Sequence, residues 1–350
     1  MKNFNKKKFI PLNEFINISL YSKESGYYIK KNPLGKSGDF ITAPLISSLF
    51  SEMIAIWCVA YWNYLKKPKK ILFVELGSGD GSLCETIIKT SKKFGSFYNS
   101  LEIYLLEISN KLKKIQKNKI SDKKVKWIKN LDEIKHGPVI FFGNEFFDSL
   151  AIKQFYKKKN YFFEKYISLH KNNKSFDFCF KKAKKKQLKK LQSLRLLSSG
   201  DIIEYPIDAL KYLEKIMKKI KKHNGALLIF DYGYNQKINV DTIQSVKKHQ
   251  YINPFLKIGK SDITSLVNFK LFTSILKKNN FNVKKITTQS EFLQKMGINE
   301  RANIVSKKMN FNQKAQLYSR LERLLSNRQM GSLFKVLVAQ KKGSNFSMGF

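Results

Sequence analysis

Three glycines at alternate positions behind an apolar run are the feature that most constrains the fold. In the segment FVELGSGDGSL, Glu75 stands at the end of a predicted buried strand. The turn that follows contains Gly77, Gly79 and Gly81, and a helix is predicted to begin near Ser82. Glycine is needed where a ligand lies against the backbone, because a Cβ atom would collide with it. The strand, turn and helix therefore predict a ligand-binding corner at the carboxyl end of a sheet.

The residues after the first strand exclude two nucleotide-binding motifs. A dinucleotide fingerprint spaced G-x-G-x-x-G requires glycine at position 82, where Ser82 stands. A P-loop requires Gly-Lys-Ser or Gly-Lys-Thr at the end of the turn, and neither is present there. The spacing E-x-G-x-G-x-G instead resembles motif I of class I methyltransferases, which bind S-adenosylmethionine. This resemblance implies that Glu75 lies near the methionine end of the cofactor and that the glycine loop, Ser78 included, binds it.

Further cofactor residues are predicted at the ends of the next strands. The second strand, IYLLEIS, ends in Glu107, which is placed to accept hydrogen bonds from the two ribose hydroxyls of an adenosine without a 2′-phosphate. The third strand is followed by WIKNLDEI, where the family usually frames the adenine, so Asn130 and Leu131 are candidates. Asn144, at the end of the fourth strand, completes the predicted cofactor set.

Short apolar runs that alternate with helical segments predict the fold class. Strands are expected near residues 70–76, 102–107, 125–128, 138–143, 226–231, 282–287 and 333–340. Such an alternation predicts an α/β protein with a parallel, doubly wound sheet, and the resemblance implies the Rossmann-like, seven-stranded form of class I methyltransferases.

The chain is predicted to divide into two parts. Residues 1–66 form a helical and loop segment that covers the cofactor site, and residues 67–350 form the methyltransferase core. Insertions are predicted at about 155–205, after the fourth strand, and at about 235–270, after the fifth. Within the first part, residues 42–65 predict one long helix with Thr42 as its N-cap.

The fourth strand leads into NEFFDSL, which distinguishes between classes of acceptor. DNA and RNA amino-methyltransferases often carry Asn or Asp followed by Pro-Pro and an aromatic residue here, which grips a flipped base. This chain has no Pro-Pro but has two carboxylates, Glu145 and Asp148. The loop therefore suits a cationic acceptor better than a nucleobase.

A series of motifs in the same order makes the resemblance more specific. They are GYY, GDFITAP, ELGSGDGSL, NEFFDSL, FDYGY, KKH, DITSLVNF, TQSEFLQKMGI and MGSLFKVL. Together they resemble the MidA-type methyltransferases, whose mitochondrial relative is an arginine methyltransferase serving assembly of respiratory complex I. The resemblance implies S-adenosylmethionine as donor and, as acceptor, an arginine side chain of a protein linked to complex I.

Arginine chemistry assigns roles to the acidic loop residues. A guanidinium is a poor nucleophile because it is protonated and delocalised, so an enzyme must hold it with carboxylates and remove a proton. Glu145 and Asp148 are the principal catalytic candidates, and Asp39 and Asp262 are secondary ones; each could instead cap a helix or pair with a lysine. Residues predicted to line the acceptor side are Tyr27, Tyr28, Asp231 and Tyr232.

The composition bears on partners and location. The net charge of +41 comes almost entirely from lysine, with only five arginines, whereas specific base and phosphate recognition favours the arginine fork. We therefore expect no specific nucleic-acid partner, although an RNA-directed methyltransferase and a non-catalytic assembly factor on the same fold stay as alternatives.

Three widely spaced cysteines predict neither a disulfide framework nor a metal site. Together with the lack of a membrane-spanning or signal segment, they suggest a cytoplasmic location.

Overall fold

A computed structural model describes residues 8–31, 33, 35, 38–170, 175–198, 200–247 and 250–350. The N-terminal part is mostly helical. Its elements are β1 (Phe9–Pro11), α1 (Leu12–Tyr21), α2 (Tyr27–Lys30), α3 (Ala43–Ile46) and α4 (Ser48–Tyr64).

The helix predicted over 42–65 is divided, and the predicted cap is wrong. Ser47 has an extended backbone, with φ of −151° and ψ of 132°, which separates α3 from α4. Its side chain accepts a hydrogen bond from the Leu49 N–H, whereas Thr42 makes no side-chain capping bond. Serine side chains compete with helical bonding in this way, so Ser47 caps α4.

The first half of the core alternates strands with helices. It comprises β2 (Ile71–Leu76), α5 (Ser82–Ser91), α6 (Gly95–Ser100), β3 (Leu101–Leu106), α7 (Asn110–Lys119), β4 (Val125–Ile128), a 3₁₀ turn (Leu131–Glu133) and β5 (Val139–Asn144). Strands β2, β3, β4 and β5 pair in parallel in the order β5-β2-β3-β4, so their carboxyl ends lie at one edge.

A separate antiparallel sheet follows the fourth core strand. Its strands from this part of the chain are β6 (Lys153–Lys158), β7 (Tyr161–His170), β8 (Ser175–Lys182) and β9 (Ile202–Tyr205), and helix α8 (Lys185–Ser193) lies in the chain between β8 and β9. Strand β1 pairs antiparallel with β7, so the N-terminal segment and the predicted first insertion share one sheet.

The remaining part of the chain supplies the last strands of the large sheet. The helices of this part are α9 (Ile207–His223), α10 (Phe269–Lys278), α11 (Gln289–Lys295), α12 (Ile298–Ser306), α13 (Phe311–Leu325) and α14 (Met330–Leu333). Its strands are β10 (Gly225–Tyr234), β11 (Gln244–Lys247), β12 (Gln250–Tyr251), β13 (Asp262–Thr264), β14 (Val267–Asn268), β15 (Phe281–Val283), β16 (Thr287–Thr288) and β17 (Phe334–Lys341). The main path of the sheet is β15-β17-β10-β5-β2-β3-β4. Strand β10 is parallel to β5, and β17 is antiparallel to β10.

Helices cover both faces of this sheet. Along β2, Ile71 and Phe73 pack into the layer that contains α4 and α5, whereas Leu72 and Val74 pack into the layer that contains α9 and α10. Successive strand residues point to opposite faces, so a strand covered on both sides is apolar throughout. The predicted doubly wound α/β fold is confirmed.

Candidate active site

A cavity of about 940 Å³ opens at the carboxyl ends of β2, β3 and β5. Its walls include Glu75 after the apolar part of β2, Glu107 directly after β3, and Asn144 at the end of β5. Ligands of open parallel sheets bind at this edge, where the strand ends leave a crevice. The cavity therefore lies where the glycine loop predicts a ligand.

The glycine loop has a backbone that other residues rarely adopt. Gly77, Gly79 and Gly81 have φ values of 69°, 52° and 85°. A Cβ atom on Gly77 would lie 2.9 Å from a ring carbon of Phe146, so the loop and the segment after β5 approach closely only because this residue is glycine. Gly77 and Gly79, together with Ser78, line the cavity. Gly81 does not line it; its missing side chain leaves room for α7 and Ile120.

Unpartnered buried oxygens show what kind of ligand this wall requires. Glu75 is 5% exposed. Three buried oxygen atoms of this wall have no hydrogen-bond partner: Glu75 Oε2, Ser78 Oγ and Asn144 Oδ1. Burial, followed by the charges of Asp80 and Glu107, holds the pKa of Glu75 well above its ordinary value. Buried polar atoms without partners are costly, so a polar ligand with donor groups fits the cavity. S-adenosylmethionine has an ammonium, two ribose hydroxyls and an adenine amine, which match this requirement.

Glu107 is held in place by two donors. Its Oε1 accepts a hydrogen bond from the Ser109 N–H at 2.7 Å, and its Oε2 accepts one from Gln116 Nε2 at 3.2 Å. Each carboxylate oxygen keeps a further lone pair for a ribose hydroxyl. Gln116 also donates to the Gly79 carbonyl at 2.8 Å and so connects the ribose wall to the glycine loop. Sequence reasoning missed Gln116, because nothing in the lysine-rich α7 distinguishes it.

The two residues proposed to frame the adenine lie in different places. Asn130 lines the cavity, and its Oδ1 accepts hydrogen bonds from the Asp132 N–H and from Lys215 Nζ. Leu131 is 1% exposed, packs in the core beside Ile128, and does not line the cavity. The structure therefore places only Asn130 where it could meet an adenine.

Glu145 lines the cavity directly after β5. Its φ is 51°, a left-handed value that is uncommon for a residue with a side chain. Its N–H donates to the Phe230 carbonyl at 3.0 Å, and its Oε1 accepts a hydrogen bond from Asn144 Nδ2 at 3.1 Å. Burial raises the pKa of Glu145 to about 7, against the opposing effects of Asn144, the Ala43 backbone and Arg323.

Two further carboxylates line the same cavity. Asp148 Oδ1 has no partner, and burial together with the charge of Asp231 holds the pKa of Asp148 well above its ordinary value. Asp262 accepts hydrogen bonds from the Tyr28 hydroxyl at 2.9 Å and from the Ile263 N–H at 3.0 Å. Burial raises the pKa of Asp262 to about 7. The cavity thus combines three carboxylates that a cationic ligand would stabilise in the charged form.

Of the other residues predicted from the sequence, some line the cavity and some support it from behind. Asp39 is buried, accepts a hydrogen bond from the Tyr27 hydroxyl at 2.7 Å, and neither residue lines the cavity. Asp231 is fully buried and accepts hydrogen bonds from the N–H groups of Phe147 and Asp148 at 2.9 and 3.3 Å. Asp231 therefore holds the loop after β5, whereas Tyr28 and Tyr232 do line the cavity.

Several cavity residues were missed by sequence reasoning. Tyr21 on α1 donates to the Ser149 carbonyl at 2.9 Å, and the rings of Phe146 and Tyr212 are 5.1 Å apart. Arg323 on α13 also lines the cavity. Its helix lies far from the glycine loop in sequence, and only the scarcity of arginine in this chain could have drawn attention to it.

The described residues contain no group of three or more His, Cys, Asp or Glu side chains placed to hold a metal ion. In the same part of the chain, none of the helices is long and apolar enough to cross a membrane.

Comparisons with known proteins agree with this geometry. A family of S-adenosyl-L-methionine-dependent methyltransferases matches residues 53–287. The protein arginine methyltransferase NDUFAF7 of Xenopus laevis is 27% identical over 351 residues, which cover 93% of this chain and 80% of that protein. Its human counterpart is 26% identical over 351 residues, with 93% and 78% covered.

A solved structure has the same fold over almost the whole chain. A Burkholderia thailandensis protein crystallised with S-adenosyl-homocysteine superposes with a TM-score of 0.81 at 19% identity. The match covers 98% of this chain and 90% of that one.

The comparisons also correct one expectation. The NDUFAF7 relatives are named as mitochondrial proteins, which contradicts the cytoplasmic location predicted from the sequence. Free cysteines indicate only a reducing compartment, and more than one compartment is reducing.

Proposed function

Because this chain belongs to the S-adenosyl-L-methionine-dependent methyltransferase family, we propose that its acceptor is an arginine side chain of a protein. Family membership confirms the predicted donor and the transferase class. The NDUFAF7 relatives, named as protein arginine methyltransferases, support the choice of acceptor. As the resemblance of its motifs implies, we further propose that the acceptor protein is linked to respiratory complex I.

The single observation that carries this proposal is the cluster of carboxylates beside the donor wall. Asp148 and Asp262 are buried, and Glu145 is partly buried, around the same cavity that the glycine loop borders. Three carboxylates that line one cavity and are largely removed from solvent repel each other, so a cation between them is favoured. A guanidinium supplies that charge and has donors in a fork that matches carboxylates.

The carboxylates can bind and activate this acceptor. S-adenosylmethionine supplies a methyl carbon bonded to a sulfonium; a nitrogen lone pair forms the new C–N bond while the C–S bond breaks, leaving a neutral thioether. In this proposal Glu145 holds one edge of the guanidinium and Asp148 accepts a hydrogen bond from a second N–H; the unpartnered Oδ1 of Asp148 supports this role. A carboxyl group with a pKa of about 7, such as Glu145, can accept the proton that the methylated nitrogen releases.

The cavity walls support an ordered approach of the acceptor. Tyr28 and Tyr232 line the cavity beside the carboxylates, and aromatic faces stabilise planar cations. In-line displacement depends mainly on positioning, which the aromatic and acidic residues of the cavity wall would provide.

Radiolabelled donor and whole-cell extract test this proposal. The purified protein is incubated with both, and the products are divided and treated with nuclease or with protease. We expect label that resists nuclease, is lost with protease, and is recovered as methylarginine after hydrolysis. Label lost with nuclease would instead support the RNA-directed alternative, and donor binding without any transfer would support a non-catalytic assembly factor.

A further inference from the structure

We propose that Lys31, Lys247, Lys257 and Lys260 form a basic rim at the cavity mouth, which binds acidic residues flanking the methylated side chain of the acceptor protein. This inference rests on the proposed function and adds a sequence preference to it.

The rim lies beside the cavity opening because of the second insertion. Gln244 and Val246 of β11 line the cavity, and Lys247 is the next residue of the same strand. Tyr251 of β12 pairs with Val246, also lines the cavity, and is 79% exposed. The β11–β12 hairpin therefore borders the entrance, with Lys247 at its edge.

Two other segments bring the remaining lysines to the same place. Lys31 follows α2, and its Nζ donates to the Lys260 carbonyl at 3.1 Å. Lys257 lies in the same turn as Lys260, and both side chains are exposed. Burial, followed by the charges of Lys31 and Lys257, lowers the pKa of Lys247, with Asp39 opposing and Lys260 adding to the effect. The ammonium groups of Lys31, Lys257 and Lys260 thus lie close enough to Lys247 to repel its charge.

Asp39 offsets the positive charge of this rim only in part. Among the described residues, none of the four ammonium groups lies within 4.0 Å of a carboxylate oxygen, although lysines elsewhere do form such pairs. A cluster of like charges that forms no ion pair within the described part of the chain favours an anionic partner.

The interior of the cavity determines which anionic partner fits. Its wall contains Glu145, Asp148 and Asp262, which would repel a phosphate backbone drawn inward. A protein segment satisfies both regions, since a cationic side chain enters the acidic interior while acidic neighbours meet the basic rim. The electrostatic complementarity therefore favours an acidic segment around the modified residue over a nucleic acid.

Two peptides test the rim. Both carry one central arginine and a fluorophore; one has aspartate and glutamate on each side, and the other has asparagine and glutamine. Binding is measured by fluorescence anisotropy in the presence of S-adenosyl-homocysteine, and methyl transfer is measured separately. We expect the acidic peptide to bind about five- to tenfold more tightly at low salt, with the advantage reduced at high salt.

Variants of the rim lysines test whether these residues cause the preference for the acidic peptide. Lys257→Glu with Lys260→Glu changes two exposed lysines and should remove or reverse the preference, and Lys247→Glu alone should weaken it. The control, Lys185→Glu with Lys186→Glu, makes the same charge change at the start of α8, which does not line the cavity, and should leave the preference unchanged.

The possible results distinguish a failure of the proposed rim from a failure of the proposed arginine acceptor. Equal binding of the two peptides, or a preference that survives the Lys257 and Lys260 changes, would overturn the rim while leaving arginine methylation intact. An acidic preference without transfer to arginine would keep the rim and reject the proposed acceptor. Displacement of the acidic peptide by single-stranded RNA at about 150 mM salt would assign the rim to nucleic acid and overturn the proposal.

Discussion

Glu145 combines an uncommon backbone conformation with an uncommon charge state. Its φ of 51° costs free energy in a residue with a side chain, and the bond from its N–H to the Phe230 carbonyl helps to hold it. Its carboxyl pKa of about 7 results from burial, which Arg323 partly offsets. Backbone strain of this kind concentrates at sites where a side chain must be held in one direction.

Arg323→Met tests the electrostatic part of this arrangement. Removing the guanidinium raises the pKa of Glu145 further, so the carboxylate forms only at higher pH. If transfer requires ionised Glu145, the acidic limb of the pH–rate profile should move to higher pH by several tenths of a unit or more. Arg320→Met, on the exposed part of the same helix, is the matched control and should leave the limb in place. An unchanged limb in Arg323→Met would show that Glu145 ionisation does not control the rate.

At the scale of elements, the active-site loop depends on the neighbouring strand. The segment after β5 contains Glu145 and Asp148. Asp231, in β10, accepts hydrogen bonds from the N–H groups of Phe147 and Asp148. Gly77 lets Phe146 approach the glycine loop. The donor and acceptor walls are therefore connected through backbone contacts, and a change on one strand should be detected at the other.

Replacement of Asp231 tests this connection. Asp231→Ala removes the carboxylate that accepts hydrogen bonds from the N–H groups of Phe147, Asp148 and Tyr232, and should lower the free energy of unfolding by about 1–3 kcal/mol. Asp231→Asn keeps one acceptor oxygen and should lose much less stability. Urea unfolding and single-turnover transfer, measured at saturating donor, compare the two. Equal stability and equal rates in the Ala and Asn variants would show that Asp231 does not position the loop.

At the scale of the whole molecule, the fold gathers carboxyl groups whose ionisation it disfavours. Burial raises the pKa to about 7 for Glu145 and Asp262 and to about 8 for Asp231. In the unfolded chain these groups titrate near 4, so between about pH 4 and pH 8 the folded state binds more protons. Stability contributed by these groups is therefore greatest at low pH and falls as pH rises through this window.

The ligand-free protein should show this loss in thermal unfolding. We expect the midpoint to fall between pH 5 and pH 8, and Asp262→Asn to raise stability by about 1–3 kcal/mol at pH 8 while changing little at pH 5. Asp201→Asn, at an exposed position, should have no such effect. A similar response of both variants to pH would contradict the assignment. Asp262→Asn should also reduce transfer, because stability and activity conflict at a buried charged site.

The donor side and the fold could be predicted because their signals are local. The apolar runs and the glycine spacing occur within short segments, and the strands lie within one or two residues of their predicted bounds over β2 to β5. Leu131 shows the limit, because its neighbours in sequence do not reveal that it points into the core. The break at Ser47 was missed since apolar periodicity continues across it.

The acceptor side was harder to predict because distant segments assemble it. Tyr28 and Asp262, which are hydrogen-bonded, lie 234 residues apart, and Arg323 comes from a helix near the end of the chain. Two acidic residues named from the sequence, Asp39 and Asp231, are buried in supporting positions, and no local pattern separates them from those that line the cavity.

Glu145→Gln is the decisive variant, because in the proposed mechanism this carboxylate beside the donor holds the cationic acceptor. The change keeps the size of the side chain and removes its charge. Donor affinity, measured by calorimetric titration, and methyl transfer to extract or peptide are determined on the same preparation, with Glu300→Gln, at an exposed position, as control. We expect donor binding to stay nearly intact and transfer to fall about 10²–10⁴-fold, the range for losing one acid–base or charge-stabilising group. Near-normal transfer with intact donor binding would contradict the claim, and a parallel loss of both would place Glu145 in the donor site instead.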